Sequence, residues 1–566
     1  SSEDRFAAKR TVGSASATVR CTIPRRSLNA PCRRSDADSF FDPNAISVPL
    51  TATRSTTGNE SKYMMPIIPA LLTALAAALP HPSAIDPHAL VSEAVAAMGI
   101  GRQPVGTLRL IGIQHDFMLG NAERAEGPWR VFYSHFSELR DVGAPRMRRT
   151  DHAFRADGSE AQERIIILTD SVLASRTGGR ETGASRGTFE DWIDRVELSP
   201  DRALRLASGS ATLRWLRAGT RYGVQYDLVE FPWRNGTMRI ELSRETHLPV
   251  AVEAVRFYPD NFRWAPFGDV TMRTDYLDWQ RQSWGGWWPM QQQVSFNGQQ
   301  LRDVTLASTA LDSMPAVADS FTVSDSARAQ FAAASRQNFS TFRLGMRGKP
   351  TELGPGIVRV PDFWSMTLVK QADGVMIFEA HISAQYLHDV IDEAHRRWPG
   401  APIKGIVMTS DPWAHLGGFR EAVALGIPIY VNARSIPFLT ALASAPHHLD
   451  PDAQQRVPRA PRFIPITGKT VVGSGETGFE LYPIGGAYAE RMVMAYFPAD
   501  RLLYGADLVA PTGDPGSAHP VFDETEASDL RAAVRREHLQ VDSVFCVQNF
   551  PHPYSWKVFA PDQESR

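Results

Sequence analysis

Between Gly106 and Phe296, nine short runs of β-type residues follow one another, and nothing else in the chain limits its fold so tightly. Gly106-Thr-Leu-Arg-Leu-Ile-Gly-Ile comes first, with apolar and polar residues alternating. Trp129-Arg-Val-Phe-Tyr-Ser, Ile165-Ile-Ile-Leu, Thr212-Leu-Arg-Trp-Leu and Tyr222-Gly-Val-Gln-Tyr-Asp-Leu-Val continue it. Met238-Arg-Ile-Glu-Leu, Pro249-Val-Ala-Val-Glu-Ala-Val, Val270-Thr-Met-Arg-Thr-Asp-Tyr and Met290-Gln-Gln-Gln-Val-Ser-Phe complete the set. A period of two puts every second side chain on one face, and Asn235-Gly236, Gly285-Gly286 and Asn297-Gly298 are turn dipeptides. The stretch 86–334 therefore predicts a large antiparallel sheet, curled or closed into a partial barrel and led by a helix over 88–98. Nine of the thirteen tryptophans fall in it, among them Trp284, Trp287 and Trp288. Aromatic residues in strands pack cores, and the sharper expectation is an apolar groove for a lipid-like or aromatic small molecule.

The segment upstream differs in kind. Residues 1–63 are rich in Ser, Thr, Arg and Asp, show no helix or strand period, and hold Cys21 and Cys32. They read as a disordered extension, or as sequence preceding the true start of translation at Met64 or Met65. The run from Met64 to Ala84 has an apolar core of about a dozen residues, too short to span a bilayer but suited to a signal peptide. Residues 64–85 are accordingly expected to direct export to the periplasm or the outside, and no later stretch reads as a membrane span. With 60 Lys and Arg against 62 Asp and Glu, the net charge is −2, so no nucleic-acid partner is expected. Three cysteines exclude a disulfide scaffold and a four-cysteine zinc module.

After a polar stretch over 327–348 that reads as a linker, strands and helices alternate. Val358-Arg-Val-Pro-Asp-Phe-Trp-Ser-Met-Thr-Leu-Val-Lys and Gly374-Val-Met-Ile-Phe-Glu-Ala read as strands, and 383–398 as a helix. Tyr386, Leu387, Val390, Ile391, Ala394 and Trp398 give that helix one apolar stripe. Then come a buried strand, Ile403-Lys-Gly-Ile-Val-Met-Thr, the loop Ser410-Asp-Pro-Trp-Ala-His-Leu-Gly-Gly, a helix over 419–425, and the strand Ile427-Pro-Ile-Tyr-Val. Such alternation calls for a sheet covered by helices.

Two resemblances follow from these patterns. The leading helix, the Gly-x-Leu-Arg-Leu strand and the long meander resemble the half-barrel of periplasmic lipoprotein carriers. Thr409, His415, Gly417 and Gly418, in the order strand, loop, helix, resemble the metallo-β-lactamase superfamily. Tyr482-Pro-Ile-Gly-Gly-Ala-Tyr and Met492-Val-Met-Ala-Tyr-Phe-Pro-Ala-Asp-Arg-Leu-Leu-Tyr-Gly-Ala-Asp-Leu match its later blocks. The fold class implied is α+β: an N-terminal curled antiparallel half-barrel-like domain over 86–334, then a C-terminal αββα metallo-β-lactamase-like sandwich over 340–566.

The second resemblance also implies a zinc site, and the residues depart from it. Where the family has histidines, this chain has Ser410, Pro412, Tyr488 and Gln548 or Asn549, and where it has the loop aspartate, Ala414. His415 and the bridging Asp507 remain as remnant ligands, too few for a catalytic zinc, which needs about three protein ligands. Asp411 sits on the spacer between two former ligand positions. Ser410, Asp411, His415, Tyr488, Asp507 and Asn549 are the former-site candidates. His381, His388, His447 and His448 read as surface or capping residues, and Cys546 as a buried, inert thiol. The expectation is an exported protein with a degenerate zinc site and no cofactor, acting by binding a ligand or partner. The alternative is an atypical hydrolase of the same superfamily, using one zinc or metal-free groups, with His519 or His552 as further possible donors.

Overall fold

The first strand shows why the N-terminal runs become one sheet. Thr107–Phe117 buries Leu108, Leu110, Gly112 and Gln114 and turns Arg109, Ile111 and Ile113 outward. It hydrogen-bonds to Val131–Asp141 on one side and to Gln299–Asp312, the last strand of the segment, on the other. Thirteen antiparallel strands result, running from Arg180–Gly183 at one edge to Arg214–Arg221 at the other. Asn297 and Gly298 take φ of 47° and 81°, the left-handed pair that a two-residue hairpin demands, and join Trp287–Phe296 to Gln299–Asp312. The computed structural model describes residues 85–100, 106–117, 131–154, 162–261, 263–312, 318–336, 346, 348–362, 364–511, 520–547 and 552–561, all in one compact unit, 83–566. The expected extension and signal peptide lie outside the described residues, save Ile85.

Helices cover one face of this sheet. Pro87–Met98 starts with Asp86 as N-cap and Pro87 in its first turn, and ends at Gly99 with φ 74°. Val91, Ala94 and Met98 share a core with Leu108, Leu110 and Val229. Two helices absent from the sequence reading, Arg186–Glu197 and Pro200–Ser208, pack on the same sheet. Phe189, Trp192, Ile193 and Val196 meet Ile166, Ile167 and Leu168. A further helix, Asp325–Ala334, buries Ala327 and Phe331 in that core and so occupies the start of the expected linker.

The C-terminal part holds a seven-stranded sheet, from Thr351–Gly354 to Phe463–Ile466, and a six-stranded sheet, from Thr470–Val472 to Tyr554–Ser555. Gly374–Phe378 is buried along its length. Its Val375 and Ile377 face the helices Ala384–Arg397, Phe419–Ala424 and Ile436–Ala443. Met376 and Phe378 face the other way, toward Phe479, Leu481, Phe497 and Tyr504 of the second sheet. The helix Glu524–Arg536 adds Ala527, Leu530, Ala533 and Val534 to that second core. The helices expected over 383–398 and 419–425 are present within a residue at each end. The chain is thus α+β, mostly strand. No helix among the described residues is long and apolar enough to cross a membrane.

Candidate functional site

The strand Gly374–Phe378 leads directly into the site. Glu379 follows it with φ 74° and Ile382 with φ 67°, so the chain leaves the sheet through two left-handed residues that are not glycine. Such backbone strain concentrates at functional sites and is held there by surrounding structure. Here the clamp is the Gly417-Gly418 pair. A Cβ on Gly417 would come within 2.3 Å of the Ile382 carbonyl, and the Gly418 N–H donates to Ala380 at 2.7 Å. The loop therefore rests on the 380–383 backbone, and His415, on the turn Trp413–Leu416, meets His381.

His415 Nε2 lies 2.7 Å from Asp507 Oδ2. Its Nδ1 lies 3.1 Å from His381 Nδ1 and 3.3 Å from Glu379 Oε2. His381 Nε2 lies 3.1 Å from the Ser365 carbonyl, which only accepts, so that nitrogen carries the proton. A neutral His381 then has a bare Nδ1. One proton on His415 Nδ1 satisfies His381 and Glu379 together, while Nε2–H serves Asp507. The Ser410 hydroxyl donates to Asp507 at 3.2 Å and the Tyr504 hydroxyl to Glu379 at 3.2 Å; the Thr409 hydroxyl also donates to Glu379.

Charge follows the same pattern. Burial opposes an imidazolium at His415, but Asp507 and Glu379 outweigh it and raise its pKa to about 10. Burial and then the charge on His415 push His381 down to about 4. Burial would raise Asp507, yet His415 holds it below the usual carboxylate value. Glu379 and His381 are fully buried, His415 is 1% exposed, and Asp507 alone keeps 22% of its side chain accessible. Trp364 stacks on the His415 ring at 5.7 Å.

Of the residues expected at the site, Ser410, His415 and Asp507 come together. Asp411 turns aside to pair with buried Arg491 at 3.1 Å, next to a cleft of about 640 Å³ bordered by Phe267, Phe296 and Phe438. Tyr488 is half-buried, and its backbone N–H donates to Asp529 at 2.8 Å. Asn549, Gln548 and His519 lie outside the described residues, and His552 is exposed. Two expectations need correcting. His381 is a buried partner of His415, because the strained turn after Glu379 points it inward, and His447 is buried beside Asp452 at 3.5 Å. His388, exposed and paired with Glu421 at 2.9 Å, and buried Cys546 are as read. Sequence reasoning missed Glu379 and His381. Their signal was an acid and a histidine directly following five buried apolar residues.

Whether these residues suit a metal can be tested on spacing. Donors of a tetrahedral zinc at about 2.0–2.1 Å stand roughly 3.3 Å apart. His381 Nδ1, His415 Nδ1 and Glu379 Oε2 are separated by 3.1, 3.3 and 4.0 Å. The remaining ring nitrogens are held by Ser365 and Asp507, as ligating histidines usually are. This set is spaced for one divalent ion and supplies three of the four donors that a closed structural zinc takes. The three-histidine set of the resemblance does not fit, since Ser410, Pro412 and Ala414 supply no nitrogen donor.

No protein-family pattern matches the chain, and no curated protein sequence does. Among solved structures it is similar to a stereoselective inverting sec-alkylsulfatase from Pseudomonas sp., at 16% identity and TM-score 0.28, over 38% of this chain and 40% of that one. It is also similar to a metallo-β-lactamase from Pontibacter korlensis, at 14% identity and TM-score 0.29, over 38% of this chain and 95% of that one. The chain spans about two fifths of the alkylsulfatase's length.

Proposed function

We propose that this is an exported, non-catalytic binding protein whose 340–566 segment is a metallo-β-lactamase-like αββα sandwich with a degenerate zinc site. One observation carries the reading: His415 and Asp507, the two surviving ligand positions, bind each other at 2.7 Å. A catalytic zinc keeps one position open to water, whereas His415 and its partners Glu379 and His381 are closed off from solvent. The segment 86–334 would be a curled half-barrel similar to lipoprotein carriers, which the pairing of its first strand with its last supports. The apolar run from Met64 to Ala84 supports export to the periplasm or beyond.

The donor spacing favours a second reading, one divalent ion on Glu379, His381 and His415. Such an ion supplies stability when bound, or Lewis-acid polarisation if the site opened to a substrate, as the hydrolase alternative requires. Elemental analysis and melting curves with and without EDTA separate the two. The first reading expects no stoichiometric zinc, iron or manganese and an unchanged melting temperature. Stoichiometric metal, with a loss of several degrees in EDTA, would overturn it in favour of the second.

A further inference from the structure

Beneath the thirteen-stranded sheet lies a cavity of about 370 Å³, walled by the sheet on one side and by the helix Arg186–Glu197 on the other. That size is within the usual span for small-molecule sites, about 300–1,000 Å³. Leu110, Phe136, Met272, Val304 and Leu306 give the sheet side an apolar patch, set among Gln114, Asp116, Glu138, Arg149 and Arg302 of the same sheet. Charged side chains line the cavity from both the sheet and the helix, and several of them are held in ion pairs.

Arg302 meets Asp116 at 2.9 Å, and Arg149 reaches Glu138 at 3.2 Å and Asp151 at 2.7 Å. Asp194 accepts from Tyr258 at 2.6 Å and faces Arg256 at 3.3 Å. Asp191 accepts from Asn261 at 2.9 Å and Trp264 at 2.5 Å. Arg195, half-buried in the last turn of the helix, has no hydrogen bond or ion pair among the described residues. Its guanidinium only lies over the Trp192 ring, 4.2 Å from the centroid. Burial first, then Arg302 and Arg149 nearby, outweigh Asp116 and Asp191 and lower its pKa to about 9, so it stays charged at neutral pH. A half-buried guanidinium in no direct ion pair contributes little to the fold, and its planar fork suits a carboxylate or phosphate.

We propose that this cavity binds a single-headed anionic amphiphile, with its oxyanion on Arg195 and its tail along Leu110, Phe136 and Val304. One head follows from Arg195, and an apolar tail follows from the patch of Leu110, Phe136 and Val304. The inference rests on the binding reading above and names its ligand class and its site.

Titration calorimetry below the micellar concentration tests it, with dodecanoate, dodecyl phosphate, dodecanol and dodecyltrimethylammonium as probes. Dodecanoate or dodecyl phosphate should bind one to one, and the neutral and cationic probes about tenfold more weakly or worse. Preference between the two anions tells a fatty-acid-like head from a phosphate-like one. Arg195→Gln should cost the preferred anion about tenfold and leave dodecanol unchanged, while Arg195→Lys, which keeps the charge but loses the fork, should fall between the two. Because Arg195 is in no direct ion pair, its replacement should not lower the melting temperature. Equal binding of dodecanol and both anions, or full anion affinity in Arg195→Gln, would overturn the inference. Stoichiometric metal at His415 would sink the proposed function and leave the Arg195 result standing.

Discussion

Around His415 the buried charges pair directly with opposite ones, whereas in the cavity under the large sheet Arg195 has Asp116 and Asp191 in its surroundings but no ion pair among the described residues. The first cluster holds Glu379, His381, His415 and Asp507 at 2.7–4.0 Å from their neighbours and leaves only the Asp507 side chain open to water. The second leaves a guanidinium against an aromatic ring. Complementary charges in a closed space hold a structure together. A charge in no ion pair beside open volume holds a place for something else.

Asp507→Ala should sharpen this contrast most. It strips a buried imidazolium of its main partner, and such losses run to about 3–5 kcal/mol. Urea denaturation should show that drop, and a loss below about 1 kcal/mol would mean that His415 is neutral or held otherwise.

The pH dependence of the metal-free chain comes next, on the order of a few kcal/mol. His415 has a folded pKa of about 10 against about 6.5 unfolded, so its contribution is complete below about 6.5 and disappears as pH rises through about 10. His381, at about 4, works in the opposite sense: below about 6.5 the unfolded chain takes up a proton that the folded chain refuses. Asp507 adds to the acid limb, since its lowered pKa gives stability that goes as pH falls through the folded value. The urea midpoint should therefore peak near pH 6.5 and fall on both sides, and Asp507→Asn should flatten the alkaline limb. A midpoint level from pH 6.5 to 10 would refute the imidazolium.

Ser410→Ala removes one neutral donor to Asp507 and should cost about 1 kcal/mol by the same denaturation measurement. Arg195→Gln stands at the low end, with no loss of stability at all. Were it to cost as much as Asp507→Ala, the two clusters would be alike and the comparison would fail.

The strands of the large sheet were legible because Leu108, Leu110 and their neighbours alternate with outward residues and Asn297-Gly298 has the chemistry of its turn. The helix Arg186–Glu197 was not, and the reason is physical. Its buried face carries Glu190, Asp194 and Glu197, whose partners Arg256, Trp233 and Arg234 lie far along the chain. A periodicity of apolar residues cannot register a helix that buries charge by long-range pairing. His415 and Asp507 were legible through the resemblance to the metallo-β-lactamase superfamily, carried by Thr409, Gly417, Gly418 and the block over 492–508. Glu379 and His381 were hidden because the left-handed turn that aims them inward is held by Gly417 and Gly418, and an acid and a histidine after an apolar strand do not by themselves reveal that turn.

Thr107–Phe117 has one further consequence, which concerns how the protein is made. One neighbour, Val131–Asp141, follows shortly after it, but Thr107 and Asp312 are also paired, and the last strand is synthesised after every other strand of the sheet. Until then the first strand presents a row of unpaired N–H and C=O groups, with Ile111 and Ile113 pointing outward. Pairings this distant in sequence form slowly, because the intervening chain must first be brought together. During that interval a growing chain displays a sticky β edge, and a holding chaperone would keep it from sticking to its own copies.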